Sequence, residues 1–189
     1  MTDEIRQILQ ESIQVKQALL AQADIIQQIA DYLIKALKGG HKILVCGNGG
    51  SAADAQHMEA ELIGRFALER QPFTVIALTT NTSTITALAN DYGYEIVFSR
   101  QVEALAGPGD IVVGISTSGN SLNVIRAIEA AKTKGAFTIG LTGRDGGKLK
   151  NAAHLCLCIP SHSTPRIQEA HITVIHILCE LVEKALAKR

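Results

Sequence analysis

The chain has few aromatic residues and no excess of either charge. Tryptophan is absent and aromatic residues make up only 4% of the 189 residues, which disfavours the base-stacking surfaces of single-strand nucleic-acid binders. The 18 Lys and Arg residues balance 18 Asp and Glu residues, so the formal net charge is zero. Without surplus positive charge, neither a nucleic-acid backbone nor an anionic membrane is a predicted partner.

Long apolar runs and paired cysteine motifs are also missing. No stretch approaches the ~18 consecutive apolar residues of a membrane helix, and residues 1–4 are acidic where an export signal would be basic. The four cysteines (Cys46, Cys156, Cys158 and Cys179) contain no C-x-x-C pair, so we expect four reduced, buried thiols. These features together predict a cytoplasmic protein.

The apolar residues, 47% of the chain, first recur at helical spacing. This spacing holds over residues 5–37 and predicts an amphipathic helix, which a capping box at Asp24 and Gln27 would split in two. The helix is long for a segment that precedes the body of the protein. We therefore expect part of this arm, residues 1–38, to pack on another subunit.

After Gly40 the chain alternates short β-branched runs with glycine- or hydroxyl-rich turns and helical stretches. Five runs are almost continuously apolar, which favours a parallel sheet covered on both faces. They cover residues 42–46, 73–78, 111–115, 136–141 and 155–159. We predict an α/β fold, a three-layer sandwich with a five-stranded parallel sheet, forming one domain over residues 1–189.

A final helix is predicted over residues 165–188. Thr164 suits the capping position and Pro165 suits the first turn, where a backbone N–H is not needed. Basic residues at the other end complement the negative helix terminus: Lys184, Lys188 and Arg189.

Two turns carry groups that suit a phosphorylated ligand. Residues 47–52 match the G-x-G-x-x-A pattern of dinucleotide sites, but the next strand lacks the acidic residue that holds the ribose. What remains is a helix N-terminus with the Ser51 hydroxyl, and residues 116–121 offer four more hydroxyls at a second helix start. Each turn alone is also ordinary capping chemistry. Together, at the carboxyl ends of parallel strands, they predict a small phosphate monoester as ligand.

Polar residues on two helices are candidates for chemistry, although the residues alone leave a structural role open. His57 and Glu61 stand four apart, hence on one helix face. Gln168 and His176 are eight apart, ~12 Å along the axis, so they are awkward as ligands of one ion unless their side chains converge. A lone histidine in this apolar helix would ordinarily be a hydrogen-bonded core residue.

Four motifs together resemble the phosphoheptose isomerases, a family of sugar-isomerase (SIS) domain proteins. The motifs are C-G-N-G-G-S at 46–51, I-S-T-S-G-N-S at 115–121, L-T-G-R-D-G-G-K at 141–148 and R-I-Q-E-x-H at 166–171. The resemblance spans nearly the whole chain and implies a flavodoxin-like SIS fold and a cytoplasmic homotetramer. It further implies conversion of sedoheptulose 7-phosphate to D-glycero-D-manno-heptose 7-phosphate, which supplies heptose for lipopolysaccharide core or related surface glycans.

The resemblance also implies a role for individual residues. Glu61 and His176 match the catalytic acid/base pair, which moves a proton between C1 and C2 through an enediol. Substrate-binding positions are Asn48, Gly49, Ser51, Asp91, Ser116, Ser118, Ser121 and Gln168. The ligands of one zinc ion per subunit, as described for some members, are His57, Glu61, Gln168 and His176. Pro165 stands where some relatives carry an acidic residue, so any help from that group in orienting the sugar is absent.

A non-catalytic SIS-domain adaptor is the alternative function. The bacterial protein that associates with the replication initiator DnaA resembles the chain nearly as well, including S-H-S-x-x-R-I-Q-E at 161–169. That adaptor has lost the glutamate and histidine of the acid/base pair. Because Glu61 and His176 are both present here, the isomerase is favoured.

Overall fold

The computed structural model describes residues 1–187. Its helices are α1 (Thr2–Ala18), α2 (Ala23–Lys38), α3 (Gly50–Ile63), α4 (Thr82–Tyr92), α5 (Ser99–Leu105), α6 (Leu122–Thr133), α7 (Gly147–Ala152) and α8 (Thr164–Leu186). Its strands are β1 (Ile43–Gly47), β2 (Val75–Ala77), β3 (Ile111–Ser116), β4 (Phe137–Gly143) and β5 (Leu155–Ile159). Two short 3-10 turns, Leu19–Gln22 and Tyr94–Ile96, complete the elements.

All five strands are parallel and lie in the order β2-β1-β3-β4-β5. This is the flavodoxin-like order, in which the direction of winding reverses between β1 and β3. The predicted five-stranded parallel sheet is therefore confirmed. Strand β2 is shorter than the predicted run at 73–78, because the Phe73 N–H donates to the Leu62 carbonyl (3.1 Å) before the strand begins.

Helices cover both faces of the sheet, so the predicted three layers are confirmed. Ile43 and Val45 of β1 point into a core shared with α2, α3 and α8. Leu44 and Cys46 point into the opposite core, shared with α5, α6 and α7. Successive side chains of a strand alternate between faces, and a strand that is apolar on both faces is stable only where both are covered.

The N-terminal arm is interrupted by the 3-10 turn at Leu19–Gln22. The predicted capping box is wrong: Gln22 occupies the N-cap of α2 without a side-chain cap, and Gln27 Nε2 instead donates to Asp31 Oδ1 (2.9 Å). None of the α1 residues is buried. Its apolar side chains are 44–58% exposed: Ile5, Ile8, Leu9 and Ile13. Within residues 1–187 these four side chains of α1 are left about half uncovered, although Val15 of the same helix packs against the core.

The predicted burial of all four thiols is wrong for half of them. Cys46 and Cys179 are buried, whereas Cys156 and Cys158 are partly exposed. Both exposed thiols belong to β5, which pairs with β4 alone and so forms an edge of the sheet. An edge strand has one side free of neighbours, which leaves its side chains partly open to solvent.

Helix α8 begins at Thr164 with Pro165 in its first turn, as predicted. Ser163 rather than Thr164 is the N-cap, and it makes no side-chain capping bond. Lys188 and Arg189, which were expected near the end of this helix, lie outside the described residues. Between residues 1 and 187, none of the helices is both long and apolar enough to cross a membrane.

A buried carboxylate fixes the loop that follows α3. Glu183 of α8 accepts hydrogen bonds from the backbone N–H groups of Phe66 (2.8 Å), Ala67 (2.7 Å) and Leu68 (2.8 Å). Arg70 pairs with Glu183 at 3.3 Å, and both side chains are only 2% exposed. Burial raises the pKa of Glu183, but the three N–H donors and Arg70 outweigh burial, so the pKa lies below its ordinary value.

Arg70 extends this clasp back to α3. Its Nη2 donates to the Glu61 carbonyl (2.9 Å) and its Nη1 to the Gly64 carbonyl (3.1 Å). The carbonyl groups at the end of a helix lack partners within the helix, and here a buried guanidinium supplies them. The clasp therefore fixes the end of α3, which carries Glu61, against α8.

We predict that Glu183→Gln lowers the free energy of unfolding by about 3 kcal/mol at neutral pH, the usual cost of breaking a buried ion pair. The folded-state pKa of Glu183 is lowered, so its contribution is present above the unfolded value of ~4.3 and is lost as pH falls through the folded value. Urea unfolding from pH 7 to pH 3 measures this. The difference in the free energy of unfolding between wild type and variant should become smaller as the pH falls. A difference that does not change with pH would contradict a stabilising role for the Glu183 carboxylate.

Candidate active site

The two glycine- and hydroxyl-rich turns lie side by side at the carboxyl edge of the sheet. Strands β1 and β3 are neighbours, with Gly47 opposite Ile115, so the chain leaves both strands at the same place. The order of the sheet reverses between these two strands, and ligands of open α/β sheets bind in the crevice that this reversal creates. The turns predicted from sequence therefore form one site.

A reciprocal pair of amides joins the two turns. Asn48 Nδ2 donates to Asn123 Oδ1 (2.9 Å), and Asn123 Nδ2 donates to Asn48 Oδ1 (2.8 Å). The Tyr94 hydroxyl also donates to Asn48 Oδ1 (3.2 Å). Asn123 is buried in the first turn of α6 and was not among the predicted site residues. Its position, two residues beyond Ser121, is the only signal that the sequence gives.

The second turn concentrates hydroxyl groups at the start of α6. The hydroxyls of Ser116 and Ser121 are 2.9 Å apart, and Ser118 Oγ accepts from the Asn120 N–H (3.1 Å). Gly119 has φ +66°, and a Cβ there would collide with the Gly146 carbonyl. The turn that leads into α7 thus closes directly over this one, and a side chain at Gly119 would force them apart.

A cavity of about 660 Å³ opens beside this second turn. Ser118 and Asn120 line part of it, and the oppositely charged Arg144 and Asp145 line it together with His162. The Ser118 hydroxyl, the N-terminus of α6 and the Arg144 guanidinium offer hydrogen-bond donors and positive charge to an anion, against the negative charge of Asp145. A volume of this size accommodates a small phosphorylated sugar.

The first turn places α3 directly against α8. A Cβ on Gly50 would collide with the side-chain amide of Gln168, so this amide packs directly on the backbone at the start of α3. Ser51 is buried beside it in the first turn of α3, and Gly49 is the exposed N-cap. Gln168 accordingly lies at the start of α3, at the same edge of the sheet as the second turn.

Three ligating side chains converge farther along the same pair of helices. His57 Nε2 lies 2.9 Å from His176 Nε2 and 3.3 Å from Glu61 Oε1. All three ligating atoms lie within 4.8 Å of one another. The ring of Phe66, whose backbone is fixed by Glu183, stands 5.9 Å from the His176 ring. Residues from distant parts of the sequence thus form one triad, which we call the His57–Glu61–His176 triad.

Two other polar groups near the helix pair have distinct surroundings. The pKa of Asp54 is raised to about 6, because burial disfavours its charge while nearby His57 partly favours it. Its Oδ2 is buried without a hydrogen-bond partner. His171 is buried in the core and bonds to the Thr142 carbonyl (3.0 Å). Its pKa falls to about 4 through burial, although that bond raises it in part, so His171 is a neutral core residue.

The donor set of the triad fits a divalent metal ion. Two imidazole nitrogens and one carboxylate oxygen, with a position left open, are typical ligands of catalytic zinc. One N–H on His57 Nε2 cannot serve both the His176 nitrogen and the Glu61 oxygen well, whereas a shared cation satisfies all three. Gln168 lies against Gly50. On α3, Gly50 precedes His57 by seven residues, or ~10 Å along the helix axis. Its side chain would have to turn toward the triad to act as a fourth ligand.

Asp91 is a predicted site residue whose hydrogen bond in the described structure does not involve the other predicted residues. It is exposed at the end of α4, where its carboxylate accepts from Asn90 Nδ2 (2.9 Å). Among residues 1–187 it makes no hydrogen bond or ion pair with another predicted site residue. Tyr94, three residues later, does reach Asn48, so this segment borders the site.

The sequence and fold have recognisable relatives. A family model described as SIS domain matches residues 6–143. A phosphoheptose isomerase of Aquifex aeolicus is 54% identical over the full length of both chains. One from Geobacter sulfurreducens is 56% identical over 98% of this chain and 99% of its own. The chain belongs to the SIS-domain phosphoheptose isomerase family.

Solved structures of this family share the fold closely. The phosphoheptose isomerase GmhA of Neisseria gonorrhoeae is 44% identical and superposes with a TM-score of 0.92 over 97% of this chain and 98% of its own. A phosphoheptose isomerase of Francisella tularensis is 39% identical, with a TM-score of 0.93 over the same shares. The N-terminal arm falls within these matches, so it is part of the family's architecture.

We predict that Asn123→Asp weakens the site without removing any group that reacts. A carboxylate accepts from Asn48 but cannot donate to it, so half of the reciprocal pair is lost and a buried charge is left. We expect KM for the sugar phosphate to rise by about tenfold, with a smaller change in kcat, measured by steady-state kinetics. Asn151→Asp, on the exposed surface of α7, is the control; equal effects of both variants would refute the role of the pair.

Proposed function

We propose that the chain isomerises sedoheptulose 7-phosphate to D-glycero-D-manno-heptose 7-phosphate. The observation that carries this proposal is the convergence of Glu61 and His176, from α3 and α8, in a chain whose two hydroxyl-rich turns meet at one edge of the sheet. Membership in the phosphoheptose isomerase family supports it, since several relatives with that name are 54–60% identical. The product would supply heptose to lipopolysaccharide core or related surface glycans. A charged sugar phosphate remains where it is made, which supports the predicted cytoplasmic location.

The phosphate of the substrate is proposed to bind at the second turn. The hydroxyls of Ser116, Ser118 and Ser121 would donate to its oxygens, and the N-terminus of α6 favours its charge. Ser51 and the N-terminus of α3 face the same edge of the sheet. Asn48, Gly49 and Gln168 would contact the sugar hydroxyls between the phosphate and the triad, while Asp91 would reach the sugar from the border of the site.

Proton transfer is proposed to use Glu61 and His176. Glu61 removes the proton from C1 of the ketose and returns it to C2, which passes the sugar through an enediol. His176 moves the second proton between O1 and O2. The ligating atoms of the two side chains lie within 4.8 Å of each other, so both groups can reach the same pair of bonded carbons. Such acid/base steps contribute typically 10²- to 10⁴-fold each.

Zinc, one ion per subunit, is the proposed cofactor. His57, Glu61 and His176 would hold it, with Gln168 as the fourth ligand. When bound, zinc would polarise the sugar carbonyl and stabilise negative charge on its oxygen. A carboxylate that binds zinc is a weaker base, so Glu61 is expected to serve either as ligand or as base at a given step.

The adaptor alternative is less well supported. An adaptor has no need for a carboxylate and two imidazoles that converge on one point, yet the triad is assembled here with its supporting clasp. A pull-down with DnaA discriminates the two functions. We expect no specific retention of the chain; retention together with an absence of isomerase activity would favour the adaptor.

A homotetramer assembled through the arm is also proposed. The apolar side chains of α1 are half exposed, and a contiguous apolar face of this kind is typical of an interface. Burial against another subunit would cover this face of α1, whereas the apolar face of α2 is already buried in the core of its own chain.

We predict that Glu61→Gln abolishes turnover and leaves the fold and sugar-phosphate binding intact, because it removes a base and almost no volume. In D₂O, wild-type protein should introduce deuterium at C2 of the product, followed by NMR, and the variant should be at least ~10²-fold slower. Glu59→Gln, on the same helix, is the matched control. Wild-type exchange by the Glu61 variant would refute its role as the base.

We predict that the metal-free protein takes up one zinc ion per chain and that His57→Ala lowers zinc affinity more than ~100-fold. Competition with a chromogenic chelator measures this without substrate. Gln56→Ala, an exposed neighbour on α3, should bind zinc like wild type. If both variants bind zinc equally, the triad is not the metal site.

We predict that Leu9→Lys converts the tetramer to smaller species, because it places a charge in the apolar face of α1. Size-exclusion chromatography with light scattering gives the molar mass. Gln10→Lys adds the same charge at an exposed polar position and should leave the mass unchanged. A monomeric wild-type protein would contradict the proposed assembly.

A further inference from the structure

Two cysteines form a close pair on β5, outside the candidate active site. Cys156 and Cys158 are two residues apart on one strand, so their side chains share a face. Their Sγ atoms are 4.0 Å apart, and the Thr142 hydroxyl lies 3.6 Å from Cys156 Sγ and 3.3 Å from Cys158 Sγ. Both residues are partly exposed, whereas the other cysteines of the chain are buried.

The Cys158 thiol supports the turn that closes over the phosphate-binding turn. A Cβ built on Gly146 would lie 2.7 Å from Cys158 Sγ, so the thiol packs directly on the backbone of that turn. A Cβ built on Gly147 would lie 2.7 Å from the Ser118 carbonyl. The Leu149 N–H donates to the Gly119 carbonyl (2.9 Å). A continuous set of contacts therefore connects the thiol pair to the proposed phosphate site.

The end of β5 is also tied to this turn through hydrogen bonds. The Arg144 N–H donates to the carbonyls of Ile159 (2.9 Å) and Ser161 (3.2 Å). Arg144 has φ +58°, the only non-glycine residue with positive φ among residues 1–187. Residues in this region are held by their surroundings, so a displacement of β5 would disturb the backbone of residues 144–147.

We propose that Cys156 and Cys158 are a peroxide-sensitive thiol pair whose oxidation to a disulfide weakens sugar-phosphate binding. This inference rests on the proposed function, because the affected turn is the proposed phosphate site. It requires only a peroxide as oxidant, and a thiol reductant reverses it.

The two steps balance as follows. The Cys158 thiolate attacks one peroxide oxygen, the O–O bond breaks, and hydroxide leaves, giving a sulfenic acid at Cys158. The Cys156 sulfur then loses its proton and attacks Cys158 Sγ; the S–S bond forms, the S–O bond breaks, and water leaves. Two thiols and one hydrogen peroxide become one disulfide and two waters. The sulfurs lose two electrons and the peroxide gains them.

The surroundings of the thiols favour Cys158 as the attacking sulfur. Its pKa is lowered, first by its hydrogen bond with Cys156 and then by Thr142 and the charge of Lys150, against the effects of burial and of Asp145. Burial instead raises the pKa of Cys46 and of Cys179 to about 12. Since the thiolate is the reactive form, a peroxide should modify Cys158 first.

Strand geometry explains why the disulfide would act on the site. Residues two apart on a strand have Cα atoms ~6.6 Å apart and side chains that point the same way, so their Cβ atoms are farther apart than the ~4.5 Å that a disulfide allows. Closing the bond would therefore pull Cys156 and Cys158 together and bend β5. Only one edge of β5 is hydrogen-bonded to a neighbour, so the strand has room to bend. Strained disulfides are readily reduced and are typical of regulation.

The test combines mass spectrometry with kinetics on the full-length protein. Reduced wild-type protein is treated with hydrogen peroxide, and peptides are mapped before and after dithiothreitol. We expect loss of two hydrogens from the peptide that holds Cys156 and Cys158. KM for sedoheptulose 7-phosphate should rise by about tenfold with a smaller change in kcat, and dithiothreitol should restore it.

Two variants separate this proposal from general oxidative damage. Cys156→Ala/Cys158→Ala keeps the buried Cys46 and Cys179, and its KM should stay unchanged by peroxide. Cys156→Ala should stop at the sulfenic acid, which a dimedone probe traps. An equal rise of KM in the double variant, first modification at Cys46 or Cys179, or disulfide formation with no change in KM would each overturn the proposal. The mass measurement does not depend on turnover, so a protein inactive on this sugar would refute the proposed function and still report on the thiols.

Discussion

The close, co-directional packing of α3 against α8 is the constraint on which the rest of the site depends. At one end Gly50 admits Gln168 without an intervening Cβ, and seven to eight residues later His57 meets His176. Because both helices advance by the same rise per residue, contact at the first point brings the imidazoles together at the second. The buried Glu183 then secures the far end by binding the loop after α3.

The sheet supplies the other half of the site. Parallel strands deliver the ends of β1 and β3 to one edge, where the amide pair of Asn48 and Asn123 ties the two turns together. The helix N-termini at this edge offer partial positive charge to an anion. The two turns can therefore bind a phosphate although neither turn contains a lysine. Anchoring the phosphate at the sheet leaves the other end of a sugar free to reach the helix pair.

The support of the site extends to the edge of the sheet. The turn before α7 packs on the second turn where Gly119 meets Gly146. On its other side, the turn before α7 packs against Cys158 Sγ. The proposed phosphate site consists mainly of hydroxyls and helix N–H groups, so its geometry would depend on such backbone contacts. A small displacement of β5 would therefore be expected to disturb the proposed phosphate site.

Apolar patterning by itself determined the five parallel strands and the long helical arm, and glycine and hydroxyl residues marked the two helix-start turns, because period and turn chemistry are local properties of the chain. The four-residue spacing of His57 and Glu61 also placed these two side chains on one helix face. The motifs, through resemblance, pointed to His176 and to the serines of the second turn.

Only the tertiary structure decided which of these residues meet. The sequence did not predict the roles of Asn123, Arg70 or Glu183. A buried glutamate on an apolar helix has no local signature, and the partners of Glu183 are backbone N–H groups more than a hundred residues away. The partial exposure of Cys156 and Cys158 likewise follows from the place of β5 at the edge of the sheet. Strand order and helix pairing are long-range outcomes of packing, and no local pattern encodes them.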